Sequence, residues 1–271
     1  MPTIPQFLKP TYEAGLRLWA RDNGIPWTIN GTKCRIDPVH RHRAYRNYEW
    51  DVADFLRQRI QPGMTCFDVG ANVGVYVIQF AEWNGPGGKI IAFEPNPAAR
   101  EVLSRHIAMN NLTKRVTVVP QAVGEKAGTD TLYAAGADGM SRLGMPNEII
   151  ASDVKPVQVE TTSIDEFIAR SGVVPDVLFI DIEGYEFQAL QGAKKLIQSN
   201  RNLLIVCEMH PSVWQSARTT RQSAERVLEE LQLRPVPVQG QGDPFSGHAA
   251  VWLQQANSEP ANRSLGTTSA T

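Results

Sequence analysis

The chain has 271 residues, 42% of them hydrophobic, which suits one large α/β domain with appendages rather than a disordered or fibrous protein. Its formal net charge of −1 speaks against a nucleic-acid partner held by phosphate neutralisation over a broad surface. No run approaches the roughly 18 apolar residues of a membrane span, and the opening residues lack the apolar core of a signal peptide, so a cytoplasmic protein without a membrane anchor is expected.

Thr11 to Ala20, with Tyr12, Leu16, Leu18 and Trp19 among polar residues, reads as a short helix, and Trp27 to Ile36 as a strand or hairpin around Asn30-Gly31. This opening section is expected to pack across the domain or cover its site. His40-Arg41-His42-Arg43-Ala44-Tyr45-Arg46 is the densest cationic stretch. It is either an anion- or substrate-recognition segment, because Arg presents a fork of donors, or a solvated loop before a helix over Glu49 to Arg59. His40 and His42, two residues apart, do not share a helix face and make a poor metal pair.

Thr65 to Val69 is a strand, and it leads into Asp68-Val69-Gly70-Ala71-Asn72-Val73-Gly74 and a helix over Val73 to Trp83. A strand, tight turn and helix of this kind offers helix N–H groups and the positive end of the dipole to an anionic ligand group. Gly70 and Gly74 lack a Cβ that would keep a ligand away, and Asn72 tolerates a left-handed backbone. A dinucleotide fold would show G-x-G-x-x-G; here Asn72 holds the middle position. An acid at the strand end with no pyrophosphate glycine suits the methionine end of S-adenosylmethionine instead.

Lys89 to Phe93 is the second strand. It ends on Glu94, where a carboxylate accepts two hydrogen bonds from a ribose diol. Pro97 to Asn110 is a helix with Pro in its first turn, and His106 on it is expected at the surface. After the strand Val116 to Val119, Gln121-Ala122-Val123-Gly124 is a natural place for adenine contacts. Thr129 to Ala134 is a further strand. The irregular stretch from Gly136 to Pro156 reads as a substrate-side cover.

Val157 to Thr162 alternates as a strand, and Ser163 with Glu166 forms a capping-box pattern. Val177 to Ile182, the most apolar strand, belongs in the sheet centre. It ends on Asp181-Ile182-Glu183-Gly184, and a helix over Tyr185 to Gln198 comes next. Leu203 to Cys207 leads to Glu208-Met209-His210-Pro211; Ser223 to Leu231 is an amphipathic helix, and Pro235 to Val238 and Ala249 to Leu253 are final strands. Beyond Gln254 the polar tail is expected to be disordered. Cys34, Cys66 and Cys207 form no C-x-x-C pair and read as buried reduced thiols.

Alternating strands and helices with polar residues at the strand ends define an open α/β sheet with its ligand at the carboxyl ends. Together with the wording of Tyr48-Glu49, Asp68 to Gly74, Phe93-Glu94-Pro95, Ala122-Val123-Gly124, Thr162 to Asp165, Ile180 to Gly184 with Glu186, and Glu208 to Pro211, the chain resembles the FkbM family of S-adenosylmethionine-dependent methyltransferases. The resemblance implies a class I methyltransferase fold, Rossmann-like, whose seven-stranded, mostly parallel sheet has one antiparallel strand and helices on both faces. It divides the chain into an N-terminal appendage (1–47), a methyltransferase domain (48–254) and a tail (255–271).

It also implies cofactor contacts at Glu49, Asp68, Gly70, Asn72, Gly74, Glu94, Pro95, Gln121, Ala122 and Asp181, and methyl transfer mostly to hydroxyls of sugars or polyketide-like natural products. Two positions depart from the family pattern: Gln121 stands where Asn is usual and Phe179 where Lys is frequent.

A hydroxyl acceptor hardly ionises at neutral pH, so its proton must go to a positioned base or be loosened by a metal ion. His210, with an ordinary pKa near neutrality, is the base candidate, and Asp181 with Glu183 are candidate oxygen ligands for a divalent cation such as Mg²⁺. Their spacing, two residues apart in an extended strand end, points both side chains the same way. An NAD-linked oxidoreductase, a non-catalytic cofactor-binding partner of the same fold, and transfer to nitrogen or carbon are the rival readings.

Overall fold

The computed structural model describes residues 9–20, 23–134, 141–143, 155–240 and 242–255. Helix α1 (Lys9–Ala20) precedes a hairpin of β1 (Ile25–Ile29) and β2 (Thr32–Ile36). Asn30 and Gly31 turn it with φ of 49° and 84°, the pair of positive angles that a two-residue hairpin loop requires. Asn30 Nδ2 also donates to the Tyr48 carbonyl at 2.6 Å and to Gln79 Oε1 at 2.9 Å. Ile29, Cys34 and Ile36 pack on Val73, Val75, Ile78 and Val102, so the opening section lies across the helices that flank the glycine turn.

The next elements are α2 (Trp50–Arg57), β3 (Thr65–Val69), α3 (Val75–Trp83), β4 (Lys89–Phe93), α4 (Pro97–Met109) and β5 (Val116–Val119). Then come β6 (Ala122–Val123), β7 (Gly128–Ala134), β8 (Arg142–Leu143), β9 (Lys155–Thr162), α5 (Ile164–Ser171) and β10 (Val177–Ile180). The chain continues through α6 (Glu186–Gln191), α7 (Lys194–Ser199), β11 (Leu204–Met209), a 3₁₀ segment (Pro211–Ala217), α8 (Arg221–Glu230), β12 (Leu233–Pro237) and β13 (Ala249–Gln255).

Seven strands form one sheet in the order β12-β13-β11-β10-β3-β4-β5, with β10 at its centre. The run from β11 to β5 is parallel, and β13 pairs antiparallel with both β11 and β12. Alternate residues of each central strand feed two cores, as the period-2 pleat dictates. Phe67, Leu178 and Ile205 pack towards Phe187, Leu190 and Leu228. Cys66, Phe179 and Val206 pack towards Leu56, Phe80 and Leu103. A second sheet, β6-β9-β7-β8, was not foreseen as a separate unit.

Four expectations are corrected. The helix over Tyr185 to Gln198 is broken into α6 and α7 at Gly192-Ala193. The break is tertiary: Asp165 accepts from Lys195 N and Leu196 N at 2.8 and 3.0 Å, capping the first turn of α7, while Asp165 N donates to Gly192 O. Gly192 also lies so close to β6 that a Cβ there would sit 2.1 Å from Gly124 O. His106 is buried, not at the surface; its Nδ1 donates to Val73 O at 2.7 Å and its Nε2 accepts from Asp37 N at 2.9 Å. Gln255, assigned to the tail, closes β13 and is buried, donating to Ile197 O and Asn200 O. Finally, Glu183 has φ of 51°, so the chain has left extended geometry there and the alternation argument for Asp181 and Glu183 does not apply. The rest of the tail and most of the Gly136 to Pro156 stretch lie outside the described residues.

Candidate active site

The carboxyl ends of β3, β4, β10 and β11 open onto one cavity of about 300 Å³, the size of a small-molecule site. Glu49, Gly70, Asn72, Glu94, Pro95, Ala122, Asp181, Glu183 and His210 all line it, and Ser141 and Leu143 of the expected cover reach it as well. Asp68 faces an adjoining cavity of about 210 Å³ that Gly70, Asn72 and Asp181 share and that Arg43, Tyr45, Tyr76 and Phe179 complete. Part of the cationic stretch therefore faces a site.

Gly74 and Gln121 border neither cavity. The absent Cβ of Gly74 makes room for Leu103, whose Cδ1 would lie 2.5 Å from it, so this glycine serves helix packing. The Gln121 amide turns away to Glu160 and Arg170. Gly70, at φ 92°, lines the cavity but is also obligatory for packing: a Cβ would meet Asp181 O at 1.8 Å.

The turn after β3 is held from β4. Gly70 N and Ala71 N both donate to Phe93 O at 3.0 Å, and Asn72 N donates to Glu94 Oε2 at 2.7 Å. Glu94 Oε1 accepts from Asn96 N at 2.8 Å. Each Glu94 oxygen keeps a second lone pair for a ligand hydroxyl. Burial pushes the Glu94 carboxyl up to about 7, against the pull of those two N–H donors.

Asp68 differs. Among the described residues no donor reaches its buried Oδ2, nor the Oδ1 of Asn72. Burial, reinforced by the charges of Glu94 and Glu49, pushes its carboxyl up to about 8. A buried carboxylate without a partner is costly unless a cation joins it.

Across the cavity the carboxylates meet imidazoles. His210 Nδ1 donates to the buried Glu186 Oε1 at 2.7 Å, and its Nε2 lies 3.6 Å from Asp181 Oδ1. Glu186 is fixed in turn by Trp214 Nε1 at 3.2 Å and Gly184 N at 2.8 Å. Burial draws the His210 pKa down, but the hydrogen bond to Glu186 and the charges of Asp181, Glu186 and Glu183 outweigh it and hold it at about 9. The ordinary pKa near neutrality that marked His210 as a base candidate is thus raised in this environment, which favours the protonated imidazole.

Burial and then the charge of Glu208 raise Asp181, while burial and then Glu49 push Glu208 up to about 7. Glu208 Oε1 lies 2.6 Å from His248 Nε2, and the Glu208, His210 and His248 ligand atoms converge within 4.8 Å of one another. The functional parts of Glu186, Glu208 and His248 were missed. Glu208-x-His210 in a strand puts both side chains on one face, a signal present in the sequence; His248 had none until its strand was paired.

No helix among the described residues is long and apolar enough to cross a membrane. The hexuronic acid methyltransferase AglP of Haloferax volcanii is 26% identical to this chain over 186 residues, 66% of this chain and 69% of that protein. The 31-O-demethyl-FK506 methyltransferase FkbM of Streptomyces tacrolimicus is 27% identical over 169 residues, 52% of this chain and 64% of that one. A crystal structure of methyltransferase FkbM from Methylobacillus flagellatus KT, 14% identical, superposes over 74% of this chain and 50% of that one with a TM-score of 0.47. The similarity therefore spans between half and about two thirds of these proteins' own lengths. The sequence profile of the methyltransferase FkbM domain matches residues 68–243, from the acid before the glycine turn to beyond His210, and the chain belongs to that family.

Proposed function

We propose that the chain is an S-adenosylmethionine-dependent O-methyltransferase that acts in the cytoplasm on a hydroxyl of a sugar or polyketide-like natural product. The observation that carries this reading is the pair of unpartnered buried oxygens, Asp68 Oδ2 and Asn72 Oδ1, beside the glycine turn. They fit an ammonium donor, as on the methionine end of the cofactor. Glu94, one strand away with lone pairs turned to the cavity, fits a ribose diol. Phe93, Ala122, Val123 and Leu143 supply an apolar wall suited to adenine.

When bound, S-adenosylmethionine supplies a methyl already activated on a sulfonium, so transfer needs alignment and exclusion of water more than covalent chemistry. The acceptor's proton falls to His210. Glu186 fixes its Nδ1–H and so aims Nε2 at the cavity beside Asp181. A cation in the cavity opposes the protonated imidazole, which moves His210 towards the neutral form that accepts a proton or ligates a metal ion. The acidic wall of Glu49, Asp181, Glu183 and Glu208 favours a cationic ligand throughout. In the adjoining cavity Arg43 offers a carboxylate-bearing acceptor a guanidinium; AglP, named for a hexuronic acid, is a relative whose substrate has that group. The three buried thiols, Cys34, Cys66 and Cys207, suit a reducing compartment.

The test is to incubate the protein with methyl-labelled S-adenosylmethionine and a panel of uronic acids, neutral sugars and polyketide alcohols, and to follow label into product by mass spectrometry. Label on an acceptor oxygen is the expected result. A protein that binds NAD and not S-adenosylmethionine in calorimetry would overturn the reading.

A further inference from the structure

The corner that deals with the acceptor's proton holds more than one imidazole. Strand pairing explains why. The antiparallel register of β11 with β13 sets Met209 opposite Ala249; one step further, His210 faces His248, with ring centroids 4.8 Å apart. Cross-strand neighbours at such a position share one face. Glu208, two residues before His210 on the same strand face, reaches His248 Nε2 at 2.6 Å.

We propose that Glu208, His210 and His248 form a binding site for a divalent first-row transition-metal ion, with Asp181 able to join as a fourth ligand. Two imidazoles and a carboxylate suit Zn²⁺, Mn²⁺, Fe²⁺ or Co²⁺ better than Mg²⁺, which prefers an all-oxygen shell. The support behind the ligands is that of a metal site: the buried Glu186 holds His210 Nδ1 at 2.7 Å, which fixes the tautomer and turns Nε2 outward. His248 is exposed, with its Nε2 already beside Glu208 Oε1, and the cavity leaves room for water or an acceptor hydroxyl to complete the coordination. This site differs from the Asp181 and Glu183 oxygen pair expected from the sequence. Its binding of metal stands on geometry alone. Its role, favouring loss of the acceptor's hydroxyl proton, rests on the methyl-transfer reading.

The experiment titrates Co²⁺ into the whole chain without cofactor and follows the visible absorption of the ion. The expected result is a saturable band with one ion per chain, displaced by Zn²⁺. His248→Gln, at an exposed position, should weaken Co²⁺ binding at least tenfold, whereas Glu101→Gln, which removes an exposed carboxylate on α4 outside both cavities, should bind as the parent does. Absence of a saturable band, or equal Co²⁺ affinity in His248→Gln, overturns the site. The same preparations are titrated with S-adenosylmethionine. Cofactor binding without Co²⁺ binding rejects the metal site alone, and Co²⁺ binding without cofactor binding rejects the methyl-transfer reading while the metal site stands.

Discussion

Asp68→Asn separates the cost of the cofactor site from its use. In the folded protein the Asp68 carboxyl is pushed from an ordinary 3.8 up to about 8, while in the unfolded chain it titrates near 3.9. Each unit between those values corresponds to about 1.4 kcal/mol, so the ionised carboxylate costs the cofactor-free protein at most about 6 kcal/mol. Relaxation and water entry soften burial in real proteins, and a net cost of about 2–4 kcal/mol is expected. Because the folded pKa is raised, the folded state holds its proton where the unfolded state has lost it. Stability therefore falls as pH rises from about 4 to about 8, and the full cost is present above 8.

Asn keeps the shape and removes the charge. Urea unfolding followed by tryptophan fluorescence should show the variant gaining on the parent steadily between pH 4 and 8, by no more than about 1.4 kcal/mol per pH unit, with a constant advantage above that. Calorimetry with S-adenosylmethionine at pH 8 should show the opposite, a loss of at least about 1.5 kcal/mol, the worth of a hydrogen bond to a charged group. A variant destabilised equally at every pH, with unchanged cofactor affinity, would refute the reasoning: Asp68 would then be a structural group and not a stored charge.

Glu94→Ala should weaken S-adenosylmethionine binding by about 1.5–3 kcal/mol through lost hydrogen bonds to a charged group, measured by calorimetry; unchanged affinity counts heavily against the ribose role. His210→Ala should lower kcat by about 10²–10⁴ while leaving cofactor affinity intact, and full turnover in a steady-state assay removes His210 from the chemistry. Gly192→Ala should destabilise the fold by about 1–3 kcal/mol through overpacking, since the new Cβ would sit 2.1 Å from Gly124 O. An unshifted urea midpoint would reject that account of the helix break.

The strand ends were legible because their cause is local. β3, β4, β10 and β11 are short apolar runs buried on both faces, so Asp68, Glu94, Asp181 and His210 could be read as the polar residues that emerge at their ends. The Ser163 and Glu166 capping box was legible for the same reason, and both of its hydrogen bonds are present. The features that escaped were set by distant partners. His106 is buried because the backbone N–H of Asp37, beyond the N-terminal hairpin, meets its ring. Asp165, a helix away, splits α6 from α7. Glu186 carries no pattern of its own until His210 and Trp214 are folded against it. Gly74 reads as a ligand glycine because it lacks a Cβ, and the space that this leaves is real, but Leu103 fills it.

The two walls of the cavity hold the same residue type in opposite circumstances, and the sheet topology is the cause. On the β3 and β4 side every neighbour strand is parallel, so the rim there gathers residues at and just past the carboxyl end of each strand, Asp68, Asn72 and Glu94; backbone N–H groups meet the Glu94 carboxylate, and the Arg100 guanidinium binds the Glu94 and Pro95 carbonyls behind it. Carboxylates there are left to be neutralised by a proton or by a ligand, and this is where a cationic cofactor gains most. On the β11 side the antiparallel β13 returns its amino end to the same rim, and with it His248, so Glu208 and His210 acquire an imidazole neighbour that no parallel strand would deliver. The acids on that wall stand beside imidazoles, which suits it to passing a proton or to holding a metal ion through nitrogen and oxygen ligands together. Reversal of one strand thus gives a single acidic crevice two unlike walls, one of carboxylates beside backbone N–H groups and one of carboxylates set against imidazoles.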